Sequence, residues 1–323
     1  MGRLQILLAD DSSTSRMVIR RLLVSCDYDV VEVDNGADAL AALQKENAPH
    51  IAILDWQMPG MSGVDVCRQV RARSGERYVY MLLVTAREDR KSLLDGLAAG
   101  ADDYLVKPFD TEELACRLRT GVRIIELEDR LRKAQARLEY EATHDGLTGI
   151  LNRNAILEML HKELERSHRS GRPAAVLMVD VDHFKRINDV YGHATGDQVL
   201  RSVAEVIRRS VRQYDSVGRY GGEEFLIVLP ETSPADVETI AERIRAAAAS
   251  TPILIDGRNV FVTLSIGIDT TGPDDVADAE RMVSAADMAM YQAKNAGRNR
   301  VHRRVQSRPI NRLREGAALA VTN

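Results

Sequence analysis

Five short apolar runs, Leu4–Ala9, Val30–Val33, Ile51–Leu54, Val79–Val84 and Tyr104–Val106, punctuate the first part of the chain. Each has the length of a buried strand, and amphipathic stretches beginning near Thr14, Gly36, Ser62, Asp89 and Thr111 follow them in turn. Strict alternation of strand and helix predicts an α/β doubly wound, five-stranded parallel sheet over residues 1–123. In such a sheet the ligand site lies off the carboxyl ends of the strands.

Nothing stops the fifth helix. Between Thr111 and Thr143 there is no proline and Gly121 is the only glycine, so the pattern predicts a rod of about 45–50 Å. Leu114, Leu118, Gly121 and Ile125 keep a 4-3-4 spacing, and a shifted frame of Ile124, Leu127, Leu131, Ala134 and Leu138 continues it. The change of frame implies a stutter where the helix leaves the first domain. Oppositely charged pairs at i,i+4 (Glu126–Arg130, Glu128–Arg132, Asp129–Lys133) support the helix. The favoured reading of residues 124–143 is a two-stranded parallel coiled-coil stalk joining two copies of the chain. A solvated linker helix is the plainer alternative.

Residues 144–304 read as an α+β domain. Predicted strands are Ala174–Val179, Phe225–Leu229 and Val260–Ile268, with helices near Ala155–Arg169, Ala194–Val211, Pro234–Ala249 and Ala277–Ala296. Ser216–Tyr220 and Glu223–Leu229, joined by Gly221-Gly222, predict an antiparallel hairpin whose glycines supply positive φ in a two-residue turn. Beyond Arg298 the chain is arginine-rich, and residues 305–323 read as a basic, frayed tail.

Composition narrows the class. The 323 residues are 45% hydrophobic and 28% charged, which suits two globular domains. A net charge of −4 removes any global electrostatic case for nucleic-acid binding. Cys26, Cys67 and Cys116 are widely spaced with no Cys-x-x-Cys pair, against a disulfide framework or zinc site. The N-terminus turns acidic at Asp10-Asp11, too soon for a signal peptide, and no apolar run suits a membrane span. A soluble, cytoplasmic protein with no membrane partner is expected.

Asp10-Asp11 closes the first predicted strand, Asp55 the third and Thr85 the fourth, and Lys107-Pro108 follows the fifth. All of them converge at one end of the sheet. Clustered carboxylates repel one another unless a divalent cation neutralises them, and an oxygen-only set selects a hard ion such as Mg²⁺. Beside that ion and a lysine, a carboxylate can attack phosphorus. Over residues 1–123 the sequence resembles the receiver domain of two-component response regulators, down to Met58-Pro59-Gly60 and Lys107-Pro108. The resemblance implies Asp55 as phospho-acceptor, with Asp11, Asp55 and the Gln57 carbonyl binding Mg²⁺ and Asp10 acting through water. It also implies Thr85 and Lys107 holding phosphoryl oxygens, Tyr104 as the aromatic switch, a cis Lys107-Pro108 bond and a histidine kinase as partner.

A second acidic set lies in Asp180-Val181-Asp182-His183-Phe184-Lys185 and Gly221-Gly222-Glu223-Glu224-Phe225. A buried strand ending in acids beside an acidic hairpin suits metal-assisted phosphoryl or nucleotidyl transfer. Lys294 and Arg298, at i,i+4 on the last predicted helix, point the same way and could grip phosphates. Asn188 and Asp197 could read guanine, since a carboxylate accepts from its N1–H and amine. Phe184 and His193 complete the substrate-binding candidates; for Phe184 core packing is the heavier reading, and His193 lacks ligand spacing.

With Asp145-Gly146-Leu147-Thr148-Gly149 ahead of them, these residues resemble the GGDEF family of diguanylate cyclases over 144–304. The resemblance implies a palm-like, nucleotidyl cyclase-like fold that condenses two GTP into cyclic di-GMP and two pyrophosphates. It makes Asp180, the Val181 carbonyl and Glu223 ligands of Mg²⁺ (Mn²⁺ as alternative), and Lys185 a stabiliser of phosphate charge. Either Glu223 or Glu224 assists deprotonation of the ribose hydroxyl. Each domain holds one GTP, so two must meet face to face, which gives a homodimer through receiver and stalk, or a higher oligomer, its purpose.

Arg212-Gln213-Tyr214-Asp215 ends five residues before Gly221, the offset of the family's inhibitory cyclic di-GMP site, with Arg243 matching its secondary arginine from a neighbouring domain. Unaided, Arg-x-x-Asp suggests only a surface ion pair. The expected function is thus a phosphorylation-controlled diguanylate cyclase inhibited by its product. A catalytically silent cyclic di-GMP receptor is the alternative, opposed by the intact Asp180, Glu223 and Glu224. A regulator that places its basic tail on nucleic acid is a third reading, with no helix-turn-helix pattern to support it.

Overall fold

The computed structural model describes residues 3–72, 77–86, 90–255, 257–271 and 278–303. The 305–323 tail, Arg304 and the expected helix start at Asp89 lie outside them. The chain divides into two compact units, Met1–Ala136 and Arg137–Asn323, each with its own cores.

In the first unit β1 (Gln5–Ala9), β2 (Asp29–Val33), β3 (Ile51–Asp55), β4 (Tyr80–Thr85) and β5 (Asp103–Val106) form one sheet in the order β2-β1-β3-β4-β5. Every pairing is parallel. The helices α1 (Ser13–Ser25), α2 (Gly36–Leu43), α3 (Gly63–Ala72), α4 (Arg90–Ala98) and α5 (Thr111–Thr143) alternate with them as the periodicity predicts. Both faces of the sheet are covered, so β3 and β4 are buried throughout and apolar up to their last residues, Asp55 and Thr85, rather than alternating. Leu7, Ala52, Leu54 and Leu83 pack with Ala39 and Val66 on one face, whereas Ile6, Leu8, Ile53 and Leu82 pack with Ile19, Leu23, Leu114 and Leu118 on the other. Each fully buried aliphatic side chain contributes about 1.5–3 kcal/mol of transfer free energy.

The frame change in α5 has a structural cause. Leu114, Leu118 and Gly121 are buried against the sheet, with Gly121 under the ring of Tyr80. Past that point Leu127, Leu131 and Leu138 are 53%, 63% and 65% exposed. Glu126–Arg130 and Asp129–Lys133 form as expected at 3.7 and 2.6 Å, while Arg132 takes Asp129 at 2.8 Å instead of Glu128.

The second unit holds a mixed sheet, ordered β12-β11-β6-β8-β7. Its strands are β6 (Ala175–Val181), β7 (Ser216–Arg219), β8 (Glu224–Leu229), β11 (Leu264–Thr270) and β12 (Arg300–Arg303). Only β11–β12 is parallel. Parity along β6 sends Leu177 and Val179 toward α8 (His193–Ser210) and α9 (Pro234–Ser250). Val176 and Met178 face α6 (Arg153–Ser170) and α10 (Ala279–Asn295).

Four local expectations are corrected. The single strand Val260–Ile268 is two: β10 (Arg258–Val260) pairs with β9 (Ile253–Ile255), while β11 starts at Leu264 and pairs with β6. Different partners break the run. The hairpin is joined by three residues, Gly221–Glu223, after Tyr220 N–H bonds to Glu224 O at 2.8 Å, and neither glycine has a positive φ. What Gly221 supplies is space, since a Cβ there would meet Glu224 Oε2 at 2.4 Å. A helix that the periodicity did not show, α7 (Phe184–Tyr191), follows β6. The arginine-rich stretch beyond Arg298 begins not as frayed chain but with the edge strand β12, Arg300–Arg303.

Candidate functional site

At the carboxyl end of the first sheet, the Oδ atoms of Asp10, Asp11 and Asp55 lie within 4.8 Å of one another. Lys107 Nζ donates to Asp10 Oδ2 and Asp55 Oδ2, both at 2.9 Å. Ser12 N–H and Ser15 Oγ hold Asp10 at 2.8 and 2.6 Å. Burial raises the pKa of Asp55, and its bond from Lys107 and the backbone N–H of Gln57 oppose the rise. Burial alone would lower the Lys107 pKa, but its bonds to Asp55 and Asp10 carry it upward. Thr85 ends β4 and is 1% exposed, Tyr104 is partly buried against the core, and the Lys107-Pro108 bond is cis. The sheet brings Asp10, Asp11, Asp55 and Lys107 together, with Gln57 N–H bonded to Asp55, and the oxygen-only donor set fits a hard divalent cation.

The second site forms where β6 meets β8. Asp180 pairs in register with Glu224, so both side chains share one face, and Val181 N–H bonds to Glu223 O at 3.3 Å. Parity turns Asp180 toward α10, from which Lys294 Nζ reaches its Oδ2 at 2.8 Å. Burial pushes the Asp180 pKa up to about 6, against the pull of Lys294 and with the push of Glu223 and Glu224. A buried acid under that stress, beside two more carboxylates, suits a cation. Lys185 is exposed on α7, and Phe184 is 7% exposed within the core.

Asn188 on α7 lies against Gly196 of α8, across the turn at Gly192, and the exposed Asp197 is the next residue of α8. The Asn188 Oδ1 is buried with no hydrogen-bond partner among the described residues. Gly196 makes room for it, since a Cβ there would lie 1.9 Å from that oxygen. His193 is the exposed first residue of α8. Arg298 does not share a helical face with Lys294: α10 ends at Asn295, and Arg298 has a φ of +61° in the turn that follows.

Sequence reasoning also passed over Arg219. Its Nη1 bonds to both oxygens of Asp145 at 3.2 Å, and its Nη2 donates to Gly222 O at 2.7 Å. It thus ties the segment just after α5 to the hairpin that carries Glu223. No local pattern marks that role, because Asp145 is distant in sequence and Gly222 lies in a turn.

Arg212 and Asp215 line a cleft of about 370 Å³ with Arg208, His144 and Gln213. The Arg212 guanidinium turns to Tyr214, with Nη1 donating to the hydroxyl at 2.8 Å, so no side-chain ion pair with Asp215 forms. Arg212 N–H instead bonds to Asp215 Oδ2 at 2.7 Å, leaving Oδ1 buried without a partner among the described residues. Burial raises the Asp215 pKa, opposed by Arg212 and by Arg243, which lies in the same domain and donates to Ser210 O at 2.9 and 2.6 Å.

A five-stranded parallel sheet with an acidic triad, and a palm-like mixed sheet with acids at the end of its central strand and on the hairpin beside it, define a two-part signalling protein. Residues 6–119 match the model for the response regulator receiver domain and residues 142–300 that for the diguanylate cyclase, GGDEF domain. The chain belongs to the GGDEF family, with a receiver domain preceding that domain. It is similar to Response regulator PleD of Caulobacter vibrioides, 32% identical over 300 residues, covering 92% of this chain and 65% of PleD. Diguanylate cyclase DosC of Escherichia coli is 42% identical over 163 residues, 50% of this chain and 35% of DosC. The crystal structure of the coiled coil and GGDEF domain of DgcB from Caulobacter crescentus, in complex with c-di-GMP, is 34% identical with a TM-score of 0.53. The match covers 59% of this chain and 98% of that one. The chain spans less than two thirds of the length of either PleD or DosC. Among the described residues no helix is long and apolar enough to cross a membrane.

Proposed function

We propose that the protein is a response regulator with diguanylate cyclase activity, condensing two GTP into cyclic di-GMP and two pyrophosphates. The observation that carries this reading is Asp180, buried at the end of β6, opposite Glu224 and beside the Glu223 turn. In this reading Asp180, the Val181 carbonyl and Glu223 hold Mg²⁺ or Mn²⁺, which supplies charge neutralisation for phosphoryl oxygens. Lys185, Lys294 and Arg298 face phosphates, and the orphaned Asn188 oxygen accepts from guanine with Asp197. Glu223 or Glu224 takes the proton of the attacking hydroxyl.

Residues 1–123 serve as receiver, 124–143 as stalk and 144–304 as cyclase domain. Asp55 accepts a phosphoryl group from a histidine kinase, with a divalent cation held by Asp11, Asp55 and Gln57. The exposed leucines of α5 favour a two-stranded coil over a lone solvated helix. Such tethering raises the effective concentration of one half-site for the other to about the millimolar range. Product held at Arg212 and Asp215 restrains turnover. A histidine kinase partner, GTP as substrate and three free cysteines support a cytoplasmic location. The test is purified protein with GTP and Mg²⁺, with and without a phosphoryl mimic, products resolved by chromatography. Cyclic di-GMP formation that rises with the mimic is expected; no cyclic product in either condition refutes the activity.

A further inference from the structure

Asp182 is as buried as Asp180, at 5% exposure against 4%, yet its surroundings are the opposite. Its Oδ1 accepts from Ser265 Oγ at 2.6 Å, and its Oδ2 from Thr263 Oγ1 at 2.6 Å and from Asn299 N–H at 2.9 Å. Its own N–H bonds to Thr263 O at 2.9 Å. Three donors fill most of the roughly four lone-pair sites of a carboxylate, which leaves little for a ligand. It is a tether.

What it tethers is the turn after α10. Gly297, Arg298 and Asn299 carry φ values of +114°, +61° and +45° in succession, and two of them are not glycine. An L-residue in that region persists only where its surroundings over-determine it. Here the anchors are Arg298 N–H to Ala293 O at 3.0 Å, Arg245 Nη1 to Asn299 Oδ1 at 2.8 Å and the bond from Asn299 N–H to Asp182. The last runs to a residue two positions after Asp180, whose own partner Lys294 lies at the other end of the same turn. We infer that Asp182 is a positioning residue that locks the Gly297–Asn299 turn to the end of β6, setting Arg298 at a fixed place relative to Asp180 and Lys294. The inference rests on the reading that Lys294 and Arg298 grip GTP phosphates.

The test is a double-mutant cycle in the full chain, reading KM and kcat for GTP and the Kd of a non-hydrolysable GTP analogue. Asp182→Ala and Arg298→Ala should each raise KM and analogue Kd by about tenfold, with a smaller loss in kcat, as expected for losing one charge-assisted contact. The double variant should be no worse than the poorer single one. Asp182→Asn, which keeps an acceptor for Asn299 N–H while its amide donates to the hydroxyls, should recover most of the affinity. Should Asp182→Ala fail to fold, the same cycle is run with Asp182→Ser, whose hydroxyl is too short to reach Asn299 N–H. Multiplying effects, or unchanged KM and Kd in Asp182→Ala or Asp182→Ser, would overturn the inference. A wild type that binds the analogue but makes no cyclic product would refute the cyclase reading, and the analogue cycle would still decide the role of Asp182.

Discussion

Replacing Asp180 by asparagine should stabilise the second unit while abolishing its chemistry. The Asp180 side chain is 5% exposed, and burial lifts its pKa from 3.8 to about 6 despite the ammonium of Lys294 at 2.8 Å. An acid whose pKa rises on folding takes up a proton as the chain folds between about pH 4 and pH 6. Its contribution to stability therefore falls as pH climbs through that window, and the cost is complete above about pH 6. Two pH units at about 1.4 kcal/mol each amount to roughly 3 kcal/mol. Asparagine removes the ionisation, and its Oδ1 still accepts from Lys294. Calorimetric melts in a chelating buffer at pH 4, 6 and 8 read the effect directly. Asp180→Asn should melt several degrees above wild type at pH 8, roughly 2–4 °C for each kcal/mol, with the gap closing by pH 4. Added Mg²⁺ should narrow the gap by stabilising wild type alone, and chromatography should show no cyclic product from the variant. A variant less stable than wild type at pH 8, or a gap independent of pH, would show that the carboxylate is not under desolvation stress.

Gly196→Ala would place a Cβ 1.9 Å from Asn188 Oδ1; steady-state kinetics should show KM for GTP rising about tenfold with a smaller fall in kcat, and an unchanged KM would detach Asn188 from guanine recognition. Gly121→Ala would set a Cβ 2.5 and 2.7 Å from Tyr80 ring carbons, between a helix backbone and a buried ring. Overpacking of that kind costs about 1–3 kcal/mol, so chemical denaturation should show the first unit destabilised; an unaffected midpoint would mean that α5 is loosely seated. Arg212→Ala should abolish tight cyclic di-GMP binding and raise the product plateau in a progress curve, whereas unchanged inhibition constants would refute the inhibitory assignment.

Much of the architecture is written in local periodicity. The bounds of α5, Thr111–Thr143, match the continuous helix predicted between Pro108 and the next glycine after Gly121, Gly146, and the shift from buried Leu118 to exposed Leu131 coincides with its change of heptad frame. The acids of the first site were legible because every parallel strand delivers its last residue to the same edge. The α7 helix was hidden because its eight residues follow a strand with Phe184 as their one fully buried side chain, too short a pattern for a 3.6-residue period to declare itself.

Residue order along the chain therefore settled the longer elements and which chemical groups stand at the ends of the first sheet's strands. It could not settle the division of labour between Asp180 and Asp182, two acids one residue apart with nearly equal burial. That depends on Ser265, Thr263 and Asn299 arriving at one carboxylate and Lys294 at the other. Nor could it place Arg298 off the helix, because a left-handed turn held by a strand more than a hundred residues earlier leaves no periodic trace. Helices and strands follow from forces between near neighbours, whereas the state of a buried charge is set by whatever donors the fold brings within about 3 Å.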